Sequence, residues 1–434
     1  MPQSSRGRFN AARPIDTWVG LAICAVLFAW SRLAARFGAP RLPPMRGTTP
    51  PPAGLEPPPA RRILCIKSYG LGNVVMLLPV LQTLRRTYPE AEIDFLTLEE
   101  NRILLERSGL VDHTLGINMR APVSLVRSLA AILWAVRKRG YDLVLDFEQF
   151  IKLSAIIAFL SGAPARVGFN TDGQRRAWLY TTRVVYTDGD HMSRIFMRIL
   201  RAIGITEPST GRVHIRTEPA EEARVDALLH EAGVAAARSP LIAIHVGSGP
   251  NFYEVPLKRW PTAHFAQLCD ALAERHGATI LLTGKGSEER ELVEQTRRLM
   301  RQPAVDLCDK LSVPELVALL KRCDLVIAND TSVMHLGAAV GTAVVAFFGP
   351  TAPFQYGPGD GNHLVFYRDL YCSPCVTNYN LKVSRCQDPV CIRTITVDEV
   401  LAGIEARFLT SPAPLRAVTP SRPGTPPARR VAAG

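Results

Sequence analysis

The chain has 434 residues, a formal net charge of +12, 47% hydrophobic residues and nine cysteines, which is length enough for two cores and their tails. The charge lies in the arms: residues 1–62 hold nine arginines against Asp16 and Glu56, a net of +7, and residues 411–434 add four arginines and no acid, leaving +1 for 63–410. A nearly neutral core with basic arms argues against a nucleic-acid groove, and so for no nucleic-acid partner; it suits an anionic membrane surface better.

In chain order, Thr17 to Ser31 is an uncharged apolar run with Trp18 and Trp30 near its ends. It falls short of the ~20 residues that span a bilayer, so residues 1–36 are predicted to be a membrane-anchor helix, spanning or interfacial, against a docked helix as the alternative. The following arginines favour a cytoplasmic body. Residues 37–61 are a Pro-rich, disordered linker, with nine prolines between Pro40 and Pro59, and 411–434 a disordered tail.

From Arg62 the chain turns globular. Strands are expected at 63–66, 93–98, 111–117, 143–146 and 167–169, with helical patterns at 121–139 and 150–160 between some of them. Pro79 should kink the first helix or mark its true start. This alternation implies one doubly wound α/β domain over 62–215. After a charged helix, a second alternation fills 240–408: strands at 241–246, 279–283, 325–328 and 343–348, helices at 261–276, 287–301, 313–323 and 331–340. Two Rossmann-like domains would then face each other across a cleft.

Ligands of such sheets sit beyond the carboxyl ends of the strands. Gly70-Leu71-Gly72 follows the first strand but lacks the third glycine of a dinucleotide fingerprint, since Met76 stands in the early helix. In the second half, Ser248 and Gly249 form a small strand-end loop and Lys258-Arg259 precede a helix, which together suit a phosphate. Gly284 closes the next strand, where a base or ribose could approach. Asn329-Asp330-Thr331 opens a helix whose free N–H groups favour a phosphate, while Asp330 suits sugar hydroxyls. Phosphate and sugar together point to a nucleotide sugar.

Gly72-Asn73 with Pro79, Lys258-Arg259-Trp260-Pro261, Asn329 to Ser332 with Met334-His335-Leu336, and Phe348 to Thr351 resemble glycosyltransferase family 9, the heptosyltransferases of lipopolysaccharide core assembly. The likeness covers roughly Ile63 to Glu405. It implies a GT-B fold: the acceptor on the first domain, with Gly70, Gly72 and Asn73 on its side, and an ADP-sugar on the second. It also implies inversion without an essential metal. Lys258 would serve the donor phosphates and Asp330 the sugar hydroxyls. Thr331, Ser332, Met334, His335, Leu336 and Thr351 would lie near the diphosphate, although His335 suits a packed helix position equally.

The family's Gly-Asp, whose acid is the proposed general base, is here Gly72-Asn73, and an amide cannot take a proton from a hydroxyl. Either Asn73 orients the acceptor while Asp146 or Glu148 acts as base, or Lys258 and helix dipoles ease the leaving group enough to dispense with one, or the protein only binds. Cys372, Cys375, Cys386 and Cys391 have C-x2-C-x10-C-x4-C spacing, open to structural zinc, free thiols or disulfides. The reading is a glycosyltransferase on the cytoplasmic face of the inner membrane, moving heptose or a related sugar from a nucleotide donor to a glycolipid or envelope saccharide. Its rivals are a catalytically silent sugar-nucleotide-binding scaffold and an NAD dehydrogenase.

Overall fold

The structure, a computed structural model, describes residues 15–34, 56–119, 121–208, 213–234, 239–249, 256–359, 361–380 and 382–409. Of the expected linker over 37–61, residues 37–55 lie outside these residues, as does the tail over 411–434.

α1 (Gly20–Ala34) follows a short π-turn. The first sheet then takes shape from β1 (Arg62–Ile66), α2 (Leu71–Thr87), β2 (Glu92–Leu98), α3 (Arg102–Ser108), β3 (His113–Ile117), α4 (Pro122–Arg139), β4 (Leu143–Asp146), α5 (Lys152–Leu160), β5 (Ala165–Asn170) and β6 (Thr182–Val185). All its strands are parallel, in the order β3-β2-β1-β4-β5-β6. The period of two in β1 splits the apolar layers: Ile63 and Cys65 enter one cluster, Leu64 and Ile66 the other. α2 lies on the first side; α4, α5 and α1 lie on the second.

α6 (Met192–Arg201) and α7 (Pro219–Glu231) lead to the second sheet. It comprises β7 (Leu241–His245), α8 (Thr262–His276), β8 (Thr279–Thr283), α9 (Ser287–Leu299), β9 (Val305–Asp306), α10 (Val313–Arg322), β10 (Leu325–Asn329), α11 (Ser332–Val340), β11 (Ala343–Phe347), α12 (Pro353–Tyr356) and β12 (His363–Phe366). α13 (Val390–Arg393) and α14 (Val397–Ile404) close the described chain. Its order, β12-β11-β10-β7-β8-β9, read from the other edge repeats that of the first sheet. Each sheet therefore reverses direction once, between β1 and β4 and between β7 and β10, and these two points are where ligands of such folds bind.

Local chemistry explains the ends. α10 opens with a Ser312/Glu315 capping box. α11 begins where the Thr331 hydroxyl accepts from Val333 N at 3.2 Å and stops at left-handed Gly341 (φ 86°). Pro79 neither ends nor starts α2: the helix begins eight residues earlier, and Pro79 sits on its exposed side, where the missing N–H costs least. The two domains meet along α2 and α11, whose apolar faces share one cluster.

The N-terminal helix is docked on the first domain. α1 is not a free anchor: Asp16 caps α5, accepting from Lys152 N (3.1 Å) and Leu153 N (2.9 Å), and Cys24 is fully buried. Among the described residues no helix is long and apolar enough to cross a membrane.

Candidate active site

On the second sheet the two strands at the switch point end in linked loops. Asn329, last in β10, uses its amide to hold the carbonyls of Val246 (3.0 Å) and Gly247 (2.9 Å) and to accept from Trp260 N (2.9 Å). That fixes the β7 loop and the start of α8 relative to Asp330. Asp330 then accepts from Lys258 Nζ at 2.6 Å and from the Thr351 hydroxyl at 2.7 Å. Burial pushes its carboxyl up, but the Lys258 charge and both hydrogen bonds outweigh this and hold it below the usual carboxylate range. Lys258, Asp330 and Thr351, far apart in sequence, thus form one buried cluster at the N-terminus of α11, where free N–H groups point outward.

A residue that the sequence reading missed organises the neighbouring loops. Glu289, in the first turn of α9, accepts from Gly249 N at 2.9 Å and Lys285 N at 2.8 Å, and its Oε1 lies 3.4 Å from His245 Nε2. Burial raises its carboxyl, but the His245 charge and these hydrogen bonds bring it down to about 2. Gly247 must be glycine because a Cβ there would stand 2.2 Å from Glu289 Oε1. Arg259 adds a 3.0 Å bond to the Ser248 hydroxyl. Ser248, Gly249 and Gly284 therefore lie on loops tied to a single carboxylate.

His335 is buried, and burial lowers its imidazole to about 4, so it is uncharged at neutral pH. It faces Gly72 across the cleft: a Cβ on Gly72 would stand 2.7 Å from His335 Cδ2. Met334 and Leu336 are wholly buried in the core, on a helix packed against β10, β11 and α2. Only their backbone, with Thr331 and the half-buried Ser332, can serve the cleft.

The first sheet is furnished otherwise. Gly70 opens α2 in a left-handed conformation (φ 83°), and the Asn73 amide donates back to Tyr69 O at 3.4 Å. Neither expected base is free. Asp146 is buried and accepts from Arg176 (2.7 Å), Tyr180 (2.6 Å) and Glu148 N (2.9 Å); Glu148 accepts from Lys67 Nζ (2.8 Å), Ser68 N (2.6 Å) and Tyr69 N (3.2 Å). Both carboxylates are spent on fixing strand ends, which the sequence could not show because Arg176 and Tyr180 come from a distant turn.

The cysteine-rich segment crosses between domains. The Asn378 amide donates to the hydroxyls of Tyr186 and Tyr356, each at 2.6 Å, and the Tyr379 hydroxyl to Tyr186 O at 3.1 Å. Beside it, Asp188 receives hydrogen bonds from Tyr186, Gln355 and Asn378 on one oxygen, while its buried Oδ2 has no partner among the described residues. Lys382 projects from the same segment over the Tyr356 ring at 5.1 Å. Burial and the Lys258 charge lower its ammonium to about 8, with Asp330 and Asp188 opposing. None of the four cysteines is joined in a disulfide. Among the described residues, the group whose potential ligand atoms all lie within 4.8 Å is instead Glu92, Asp94 and His113. The Arg139 guanidinium already bonds Glu92 (2.9 Å) and Asp94 (2.6 Å) there, at the strand ends opposite the cleft.

Comparison with known proteins agrees with this geometry. The chain is 25% identical over 307 residues to lipopolysaccharide heptosyltransferase 3 of Escherichia coli, covering 69% of this chain and 87% of that protein. It is 26% identical over 318 residues to lipooligosaccharide heptosyltransferase 2 of Haemophilus ducreyi, covering 71% and 88%. Its fold resembles the glycosyl transferase family 9 structure from Veillonella parvula (TM-score 0.69, 23% identity, 81% of this chain and 98% of that one). It also resembles E. coli ADP-heptose lps heptosyltransferase II (TM-score 0.62, 20% identity, 80% and 98%); the fold class is thus the two-domain α/β GT-B arrangement. The model of glycosyltransferase family 9 (heptosyltransferase) matches residues 129–383, more than half of the chain, and the protein is a glycosyltransferase belonging to that family.

Proposed function

We propose that the protein transfers heptose, or a closely related sugar, from an ADP-type nucleotide donor to a lipopolysaccharide-type acceptor, with inversion and without a metal, while peripheral to the cytoplasmic face of the inner membrane. The observation that carries this reading is the buried Lys258–Asp330–Thr351 cluster at the start of α11, set opposite Gly72 and Asn73. The acceptor hydroxyl attacks the anomeric carbon, the bond from that carbon to the diphosphate oxygen breaks, and the charge of the departing diphosphate falls among Lys258, Lys382 and the α11 N–H groups. Those groups supply the positive potential a divalent cation would otherwise provide. Asp330 holds the sugar hydroxyls; when donor binds, its carboxylate is shared between them and Lys258.

The acceptor proton needs a destination. With Asp146 and Glu148 committed, we assign the base role to Asp188, whose buried Oδ2 has no partner among the described residues, with Asn73 orienting the hydroxyl. The test is a transfer assay with ADP-heptose and a heptose-deficient core acceptor, run with and without a chelator. Sugar transfer unaffected by the chelator supports the reading. Tight donor binding without transfer across a panel of acceptors would favour the silent scaffold instead.

A further inference from the structure

The outward face of α1 has no role in the site. Trp18 is 73% exposed, Val26 66% and Trp30 61%, and between Gly20 and Ala34 the only charge is Arg32. Soluble surfaces rarely gather such side chains without a partner. The helix is not displaced or loose. Asp16 caps α5, Phe28 packs on Trp178 at 5.6 Å, and Cys24 enters the same apolar cluster as Ile132 and Val136 of α4 and Ile157 of α5. Because α1 and α4 cover the same side of the first sheet, their outer faces look the same way.

The outer face of α4 continues the pattern. Val123 (68%), Val126 (66%) and Trp134 (66%) are exposed and, three and eight residues apart, fall on one side of the helix. Lys138 lies over the Trp134 ring at 4.8 Å, and Arg127 and Arg137 are exposed beside it. Neither helix contains an acidic residue, and the segments flanking α1 carry Arg6, Arg8 and Arg13 before it and Arg36, Arg41 and Arg46 after it. A second copy would set like-charged rims against each other. Tryptophans beside arginines and lysines, around an aliphatic strip, fit the interface of a bilayer with anionic headgroups.

We infer that the α1–α4 face is a membrane-docking surface that lays the first domain flat on an anionic phospholipid bilayer. Asp16 and Lys152 stand just past the carboxyl end of β4, so the Trp18 end of α1 marks the cleft side of this surface. Docking there brings the acceptor entrance to the lipid plane. The purpose of the surface rests on the glycolipid reading above; its existence does not, and it is measured without substrate.

The test is flotation of the full-length chain with phosphatidylethanolamine/phosphatidylglycerol vesicles, against phosphatidylcholine vesicles, with light scattering on the lipid-free protein. Wild type should float with the anionic vesicles, more weakly at high salt. Trp30→Glu, Val26→Glu and Trp134→Glu should each lower that partition about tenfold or more. Their melting curves and their transfer to a water-soluble acceptor fragment should be unchanged, while transfer to a vesicle-embedded acceptor falls. Variants that float like wild type, or a wild type that ignores both vesicle types, would overturn the inference. So would a lipid-free dimer dispersed by Trp30→Glu, which would assign the face to a second copy. Loss of transfer with flotation intact would strike the proposed reaction and leave the surface standing.

Discussion

At the switch point of the second sheet, a buried acid meets a buried lysine: Asp330 and Lys258 lie 2.6 Å apart, with Thr351 on the same carboxylate oxygen. At the first sheet's switch point Glu148 and Lys67 lie 2.8 Å apart, also buried. The strand orders match and the pairs look alike, yet their surroundings differ. Glu148 has both oxygens filled, by Lys67 on one and two backbone N–H groups of the β1–α2 loop on the other. Asp330 directs one oxygen to its partners beside a helix start, and the loops next to it are tied by Glu289 rather than by Asp330 itself. One pair closes a loop; the other is poised to exchange its partners for a ligand. A buried ion pair therefore says little about function until the remaining lone pairs are counted.

The comparison is broken most severely by Asp330→Ala. It leaves the Lys258 ammonium buried without its counter-charge, so donor binding should vanish by calorimetry. Unfolding stability should fall by ~3 kcal/mol, the cost of orphaning a buried charge. Lys258→Ala should lower kcat about 100-fold, with KM for donor moving less, if the lysine acts on the departing diphosphate. Asp188→Asn should reduce kcat by about 100-fold with donor affinity retained, whereas Glu148→Gln should lower the melting temperature and leave the pH profile of kcat in place. If instead Glu148→Gln alone abolishes the acidic limb of that profile, the contrast between the two pairs fails.

Smaller effects sharpen it. Burial lowers the Lys382 ammonium to about 8, so kcat should fall as pH rises through that value, and Lys382→Arg should move the limb upward. Glu289 offers a stability readout independent of turnover. Its carboxyl is near 2 in the fold against 4.5 ordinarily. The stabilisation is thus fully present above pH 4.5 and drains away as pH falls from there toward 2, by at most about 3 kcal/mol. Glu289→Gln should flatten the acid limb of a melting-temperature profile. Asn73→Asp, the mildest change, should leave melting unaltered and shift only acceptor kinetics.

Most elements were legible because parallel strands buried on both faces read as continuous apolar runs, as at Leu325–Asn329, and because helix ends carry their own punctuation, as at Thr331 and Gly341. Less was legible at the sheet edges. β6, β9 and β12 have four residues or fewer, too short for a period to mark them. Within the site, Asp330 stood out at a strand end, Lys258 before a helix start and Thr351 within a family motif. Glu289 did not, since an acid in the first turn of a charged helix looks like an ordinary cap, and only the approach of two loops to it reveals its work. Asp188 and Lys382 were equally silent; Asp188 matters through Gln355 and Asn378, 167 and 190 residues away, and Lys382 through a buried setting that only the fold creates.

By itself, then, the sequence determined the α/β class, the pairing of two like domains and the family, because periodicity, turn residues and a spaced set of motifs are local properties that survive without contacts. Tertiary structure alone decided which carboxylates remain available, that Met334 and Leu336 turn inward, and that the apolar N-terminal run lies docked with one bare face outward. Those outcomes depend on which distant groups fill each lone pair and each apolar face, and no local pattern encodes that.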